Sequence, residues 1–147
     1  MAQPSDEITA AWTRLQRAAQ ATLSGVEQAL KAGGFPPLGW YDVLLELERA
    51  EPGLRPKEIE QRLLLEQYNL SRLLQRLDKA GLVTISRCPE DGRGQIVAIT
   101  DAGRDLRRRM WPVYAAAIQQ AVGSKLHGGE AKALADLLGR LVGERKD

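Results

Sequence analysis

The sequence of 147 residues has one cysteine, one histidine and no long apolar run. Because an intramolecular disulfide needs two cysteines, the lone Cys88 is typical of a protein from a reducing compartment. His127 has no cysteine or carboxylate at the spacing of a metal-binding set, and the chain shows neither a phosphate-binding loop nor a nucleophile motif. These absences predict a protein that is not an enzyme and that uses no metal or cofactor.

The sequence also lacks the segments that direct a chain to a membrane. A helix that spans a bilayer needs about 20 mostly apolar residues in a row, and no run approaches that length. The first residues, MAQPSDEITAAW, have neither the basic nor the apolar region of a signal peptide. We therefore expect a cytoplasmic protein without a membrane partner. Its net charge of +2 is too small to indicate nucleic-acid binding without local clustering of basic residues.

Apolar side chains recur every three or four residues in six segments, which predicts six helices. The first covers about residues 6–32, with Ser5 and Asp6 suited to capping its start. Between the fourth and fifth helices, the β-rich runs LVTISR and QIVAIT flank a loop with proline and two glycines, which predicts a hairpin. The fold class is therefore mainly α with a small β-hairpin (α+β).

The stretch from residue 56 to residue 100 has the order of a DNA-reading unit. Pro56 suits the first position of a short third helix, and the fourth helix covers about residues 67–80 and ends at Gly81. Leucines 70, 73, 74 and 77 of the fourth helix form a buried stripe, and polar residues occupy the opposite face. A short helix, a polar-faced helix and a hairpin in this order are typical of a winged helix-turn-helix. Thr100 can cap the helix that follows.

The sequence resembles the MarR family of transcriptional regulators (multiple-antibiotic-resistance regulators). The resemblance rests on WYDVLLEL, on EIEQRLLLEQYNLSRLLQRLDKAGLV, on Asp91-Gly92-Arg93 in the hairpin loop and on VAITDAGRDL. It covers nearly the whole chain and implies one MarR-like domain over residues 1–147. Residues 38–100 would bind DNA, and residues 1–34 and 101–147 would form dimerisation helices. The implied function is that of a homodimeric repressor that binds a pseudo-palindromic, inverted-repeat operator in double-stranded DNA and is released by a small aromatic ligand.

We predict that the polar face of the fourth helix enters the major groove. The guanidinium of Arg72 can bond both groove acceptors of guanine. Gln67 and Asn69 suit adenine, and Tyr68 suits a thymine methyl group or a phosphate. The remaining polar side chains of this helix are better suited to contacts with the DNA backbone: Ser71, Gln75 and Arg76.

The hairpin supplies a second set of candidate DNA contacts. Arg87 can add a phosphate contact. The resemblance implies that Arg93, at the tip of the loop, enters the minor groove, where narrow A·T-rich tracts concentrate negative potential. Asp91 is expected to orient Arg93 or another arginine.

Aromatic residues fall on the first, second and fifth helices, which in this family line an effector cavity. The resemblance therefore implies that they bind an aromatic ligand, although aromatic residues at helical spacing are also typical of an ordinary core. Both interpretations stay open. The five residues are Trp12, Trp40, Tyr41, Trp111 and Tyr114.

Two residues depart from the family's pattern. Leu64 replaces the usual turn glycine, and Glu66 replaces the usual Ser or Thr that opens the recognition helix. With the low net charge, these departures favour an alternative function, a winged-helix ligand-binding or protein-interaction module that no longer binds DNA. A salt titration of DNA binding distinguishes the two functions, because phosphate contacts weaken steeply as salt rises.

The run Arg107-Arg108-Arg109 is a further basic cluster. Consecutive residues on a helix point in different directions, so the three side chains cannot form one phosphate-facing stripe. We predict that some of them pair with acidic residues.

Overall fold

The computed structural model describes residues 2–64, 69–87 and 94–143. Within these ranges it has six α-helices, a 3₁₀ turn and one two-stranded sheet, so the predicted fold class is confirmed. None of the described helices is both long enough and apolar enough to cross a bilayer. In chain order the elements are α1 (Asp6–Ala32), α2 (Leu38–Arg49), α3 (Pro56–Arg62), α4 (Leu70–Lys79), β1 (Val83–Arg87), β2 (Gln95–Ile99), α5 (Asp101–Ala121), the 3₁₀ turn (Gly123–Lys125) and α6 (Glu130–Val142).

The chain divides into two compact units. One comprises Leu30–Val113 and contains α2, α3, α4 and both strands. The other consists of the described residues before and after it, including all of α6. The predicted DNA-reading elements therefore lie in a single unit.

The core of the Leu30–Val113 unit forms where α2, α3 and α4 pack with the hairpin. Leu44 and Leu47 of α2, Ile59 of α3, Leu77 of α4 and Val97 of β2 are fully buried. The rest of the predicted leucine stripe of α4 is buried as well. Burying apolar surface contributes about 25 cal/mol per Å², so these side chains fix which face of α4 points inward.

The hairpin is joined by a residue from the connection between α2 and α3. β1 and β2 pair antiparallel, from Val83 opposite Ile99 to Arg87 opposite Gln95. The N–H groups of Leu54 and Val97 each donate to the other residue's carbonyl oxygen, at 2.9 and 2.8 Å. The sequence pattern did not predict this pairing, because a single paired residue leaves no alternation of apolar and polar side chains.

The fourth helix starts later than predicted. Instead of beginning at about residue 67, α4 begins at Leu70, and Asn69 is its N-cap. The Oδ1 atom of Asn69 accepts a hydrogen bond from the backbone N–H of Arg72 at 3.2 Å. Asparagine is one of the residues preferred at the N-cap, so the helix begins just after Asn69 and does not extend back through it. Residues 65–68, with Glu66, Gln67 and Tyr68, lie outside the described residues.

The unit formed by the terminal segments has an exposed apolar surface. At the start of α1 the Ser5 hydroxyl oxygen accepts the N–H of Ile8 at 3.2 Å, which confirms the predicted cap. At the start of α6 a Glu130 carboxyl oxygen accepts the N–H of His127 at 2.6 Å. The large apolar side chains of this unit that stay exposed are Ile8, Trp12, Ile118, Leu134, Leu137, Leu141 and Val142.

Candidate nucleic-acid interface

The outer face of α4 carries two stripes of exposed polar side chains. Arg72, Arg76 and Lys79 follow one another at intervals of four and three residues, so they share one stripe. Ser71 and Gln75, four residues apart, form a second stripe beside it. The buried leucines hold this orientation, because turning the helix would expose them to water. The helix therefore presents the predicted polar and basic face to solvent.

A cleft of about 260 Å³ borders one of these stripes. Ser71 and Gln75 line it from α4, Glu60 from α3 and Gln95 from β2. Among the described residues, its lining includes none of the three basic side chains of α4. The Ser71–Gln75 stripe thus faces the hairpin side of α4, and the basic stripe lies outside the cleft.

The side chain of Asn69 has a structural task at the start of α4. Reading adenine uses both the oxygen and the nitrogen of a carboxamide. The oxygen of Asn69 already accepts the N–H of Arg72, so it is engaged in capping. Its predicted contact with DNA, like those of Gln67 and Tyr68, stays a prediction.

The other end of α4 is tied to the start of α5. Gly81 has a φ of +76°, and the N–H of Leu82 donates to the Leu77 carbonyl at 3.0 Å, which confirms Gly81 as the terminating glycine. The Thr100 hydroxyl donates to the Gly81 carbonyl at 2.7 Å and accepts from the N–H of Gly103 at 3.1 Å. Its predicted capping role is confirmed. One side chain therefore holds the end of α4 and the first turn of α5 together.

Arg87 lies at the end of the hairpin where the connecting loop begins. Arg87 is the last residue of β1, is exposed, and lies opposite Gln95. The loop that follows, residues 88–93, lies outside the described residues. The roles of Asp91 and Arg93 therefore stay predictions.

The consecutive arginines of α5 do not form a phosphate-facing stripe. Arg107 pairs with Glu48 of α2, and their side chains are only 17% and 24% exposed. Arg109 pairs with Asp105 at 2.9 Å along the same helix, while Arg108 is exposed. The predicted pairing with acids is confirmed for two of the three. In the part of the chain that the structure describes, no group of three His, Cys, Asp or Glu residues could hold a metal ion.

Two of the five candidate ligand-binding aromatics meet in the Leu30–Val113 unit. The rings of Tyr41 and Trp111 stack with centroids 6.3 Å apart and planes 21° apart. Tyr41 is buried, whereas Trp111 is 46% exposed. Trp40 is half-buried beside Tyr41 on α2, and Trp12 and Tyr114 belong to the other unit. The stacked pair offers an aromatic surface of the kind on which a further ring can pack.

One polar residue of this region was missed by the sequence-based prediction. Asp42 of α2 is 8% exposed, and its Oδ2 atom accepts the N–H of Leu64 at 2.8 Å. The signal was available, because a carboxyl group inside the apolar run LGWYDVLL must find a partner when that run is buried. The φ of Leu64 is not positive, and its side chain is exposed. The turn therefore accepts leucine where the resemblance led us to expect glycine.

Comparison with known proteins gives a family match for the middle of the chain. Residues 34–94 match the sequence model of the MarR family. The HTH-type transcriptional regulator TtmR of Methylorubrum extorquens (strain PA1) is 43% identical over 70 residues, which are 48% of this chain and 35% of that protein. The matched segment therefore spans about a third of the length of this relative.

Two solved structures from Streptomyces coelicolor are similar over nearly the whole chain. Sco3205, a MarR family transcriptional regulator in complex with DNA, has a TM-score of 0.85 at 28% identity, covering 97% of this chain and 89% of that one. The PcaV transcriptional regulator in complex with its natural ligand has a TM-score of 0.71 at 26% identity, covering 97% of both chains. The structural similarity thus extends well beyond residues 34–94.

Proposed function

We propose that this chain is a transcriptional regulator of the MarR family, whose sequence model matches residues 34–94, and that it is a sequence-specific repressor that binds DNA as a homodimer. The observation that carries the proposal is the outer face of α4, where Arg72, Arg76 and Lys79 form a basic stripe on a helix with a buried leucine face. The similarity to Sco3205, which was solved in complex with DNA, supports duplex DNA as the partner.

The two stripes of α4 suit different parts of DNA recognition. Arg72 lies in the first turn of α4, and in helix-turn-helix proteins the N-terminal part of the recognition helix reaches the base edges. Arg76 and Arg87 neutralise phosphates, and this neutralisation supplies affinity that depends on salt. Ser71 and Gln75 complete the backbone contacts from the hairpin side.

The exposed apolar side chains of the terminal unit support the homodimer. Leu137 and Leu141 of α6 are 52% and 69% exposed in the single chain. Pairing two chains through the terminal helices would remove such side chains from water. A two-fold symmetric dimer would place its recognition helices about 34–36 Å apart, one turn of duplex, so the operator would be an inverted repeat.

Release of the operator by a small aromatic ligand is part of the proposal. The stack of Tyr41 on the partly exposed ring of Trp111 supports an aromatic binding surface in the Leu30–Val113 unit. The similarity to PcaV, which was solved with its natural ligand, supports ligand control. A panel of phenols would raise the melting temperature and weaken DNA binding together; an unchanged melting temperature across the panel would count against this part.

Equilibrium binding to a selected duplex and to a shuffled duplex tests the proposal. The wild type should prefer the selected duplex, and its affinity should fall steeply between about 50 and 200 mM salt. Arg72→Ala should cost about 1–3 kcal/mol on the selected duplex and relax the preference at one base pair per half-site. Arg108→Ala is the matched control, because it removes the same charge from an exposed position on α5. Equal wild-type affinity for both duplexes would refute the proposal.

A further inference from the structure

Helix α2 carries an acidic residue within its buried face. Asp42 is 8% exposed, and its neighbours Tyr41 and Val43 are buried too. Removing a carboxyl group from water costs free energy unless hydrogen bonds compensate. Here a compensating donor is the backbone N–H of Leu64, which lies 22 residues further along the chain and 2.8 Å from Oδ2. The bond therefore joins α2 to the segment just beyond α3.

The position of Leu64 explains why its N–H is available. Helix α3 ends at Arg62 because Leu63 adopts an extended backbone, with φ −66° and ψ 144°. The N–H of Leu63 still bonds to the Ile59 carbonyl, at 3.2 Å. Past this extended residue the chain leaves the helix axis, and the next N–H is directed to Asp42 instead of to a helical carbonyl.

The Leu64 side chain is 62% exposed, so the hydrogen bond to Asp42 restrains a residue that apolar packing holds only weakly. Asn69, the N-cap of α4, follows Leu64 by five positions. Five residues span at most about 18 Å even when fully extended. Fixing Leu64 therefore restricts where α4 can begin, while Thr100 holds the opposite end of that helix through Gly81.

We propose that Asp42 is a positioning residue for DNA binding. By holding the N–H of Leu64 it fixes where the chain leaves α3, and this limits where α4 can begin and present Ser71 and Arg72. Asp42 itself does not contact DNA. This role rests on the proposed function, in which the outer face of α4 reads the duplex.

Three variants of the full-length protein separate positioning from general stability. Asp42→Ala removes the acceptor, and Asp42→Asn keeps an acceptor oxygen at the same place. Val43→Ala is the control, because it truncates a fully buried neighbour on α2 without removing the acceptor. Each variant is measured well below its melting temperature. The two readouts are hydrogen exchange at the Leu64 amide, followed by NMR, and affinity for the selected duplex.

Affinity should follow the protection of the Leu64 amide across the set. Asp42→Ala should lose the protection of the Leu64 amide and bind the selected duplex about tenfold more weakly than the wild type. Asp42→Asn should keep both the protection and the affinity to within about threefold. Val43→Ala should melt at a lower temperature yet keep wild-type protection and affinity. If Asp42→Ala does not fold, Asp42→Asn decides by the same correlation between protection and affinity.

Several results would overturn the role of Asp42. One is wild-type affinity in a variant that has lost Leu64 protection, and another is lost affinity in a variant that has kept it. An equal loss of affinity in Val43→Ala would assign the effect to stability alone. The wild-type measurement separates the two proposals. If the wild type does not prefer the selected duplex, both proposals are overturned. If the wild type prefers it and Asp42→Ala binds it with the same affinity, only the positioning role is overturned.

Discussion

Replacing Gly103 by alanine is expected to destabilise the Leu30–Val113 unit. An added Cβ would overlap the Leu82 carbonyl oxygen and lie 2.8 Å from Ile99 Cγ1 and 3.2 Å from Leu44 Cδ2. The Leu82 carbonyl also accepts the N–H of Thr100 at 3.1 Å, so it cannot move away without loosening that bond. The first turn of α5 therefore approaches the chain after α4 at a distance that only glycine allows.

Two opposing effects set how much free energy of unfolding the Gly103→Ala variant loses. Alanine is favoured over glycine inside a helix by about 1 kcal/mol. Overpacking a core costs about 1–3 kcal/mol. The cost at Gly103 is at the upper end of that range, because the overlapping atom belongs to the backbone of Leu82 and cannot rotate away as a side chain can. The net loss is then about 2 kcal/mol. At about 2–4 °C per kcal/mol for a chain of this size, the melting temperature should fall by about 4–8 °C.

Thermal unfolding followed by circular dichroism measures this effect. All variants are compared at one protein concentration, because association makes the melting temperature depend on concentration. Gly25→Ala is the matched control: Gly25 lies inside α1, and nothing lies within 4 Å of its added Cβ. It should gain about 0.5–1 kcal/mol. A Gly103→Ala melting temperature equal to that of Gly25→Ala would refute the packing argument.

Three further substitutions test other contacts. Thr100→Val removes both hydrogen bonds of the hydroxyl at nearly constant volume, and should lower the free energy of unfolding in urea by about 1–2 kcal/mol. Arg107→Met leaves the mostly buried Glu48 without this partner and should cost about 2 kcal/mol, part of which the double variant with Glu48→Met should recover. Leu141→Glu should shift the proposed dimer toward monomer in sedimentation velocity, whereas Lys132→Glu, on the opposite face of α6, should not.

Each of these expectations has a contradicting result. If Thr100→Val has the same free energy of unfolding as the wild type, the hydrogen bonds of the Thr100 hydroxyl make no net contribution to stability. Strictly additive effects of the Arg107 and Glu48 substitutions would contradict their coupling. A Leu141→Glu protein with the sedimentation coefficient of the wild type would contradict the proposed dimer surface.

The elements that could be predicted from the sequence depend on local patterns. The spacing of the leucines in α4 determined its buried face, because the helical period is a geometric constant. Ser5 and Thr100 could be assigned as caps, since a hydroxyl at that position satisfies a free backbone N–H. Gly81 marked the end of α4 because its positive φ disfavours other residues.

The features that escaped prediction depend on long-range contacts or on competing roles. The pairing of Leu54 with Val97 joins distant segments through one residue and leaves no sequence pattern. The sequence allowed Asn69 either to read a base or to cap the helix. In the structure it lies just before the first buried leucine of α4, and its side chain caps the helix. The sequence predicted acidic partners for some of the arginines 107–109, yet only the contact between α5 and α2 identifies Glu48 as the partner of Arg107.

Selection of bound duplexes from a random pool, with the full-length protein, tests the central claim most directly. The recovered sequences should converge on an inverted repeat with half-sites about 10 base pairs apart. Selection with Arg72→Ala should recover a repeat that is less defined at one position per half-site. A pool that stays random would contradict DNA reading by α4 and favour the alternative of a ligand-binding or protein-interaction module, and a converged sequence without two-fold symmetry would contradict the homodimer.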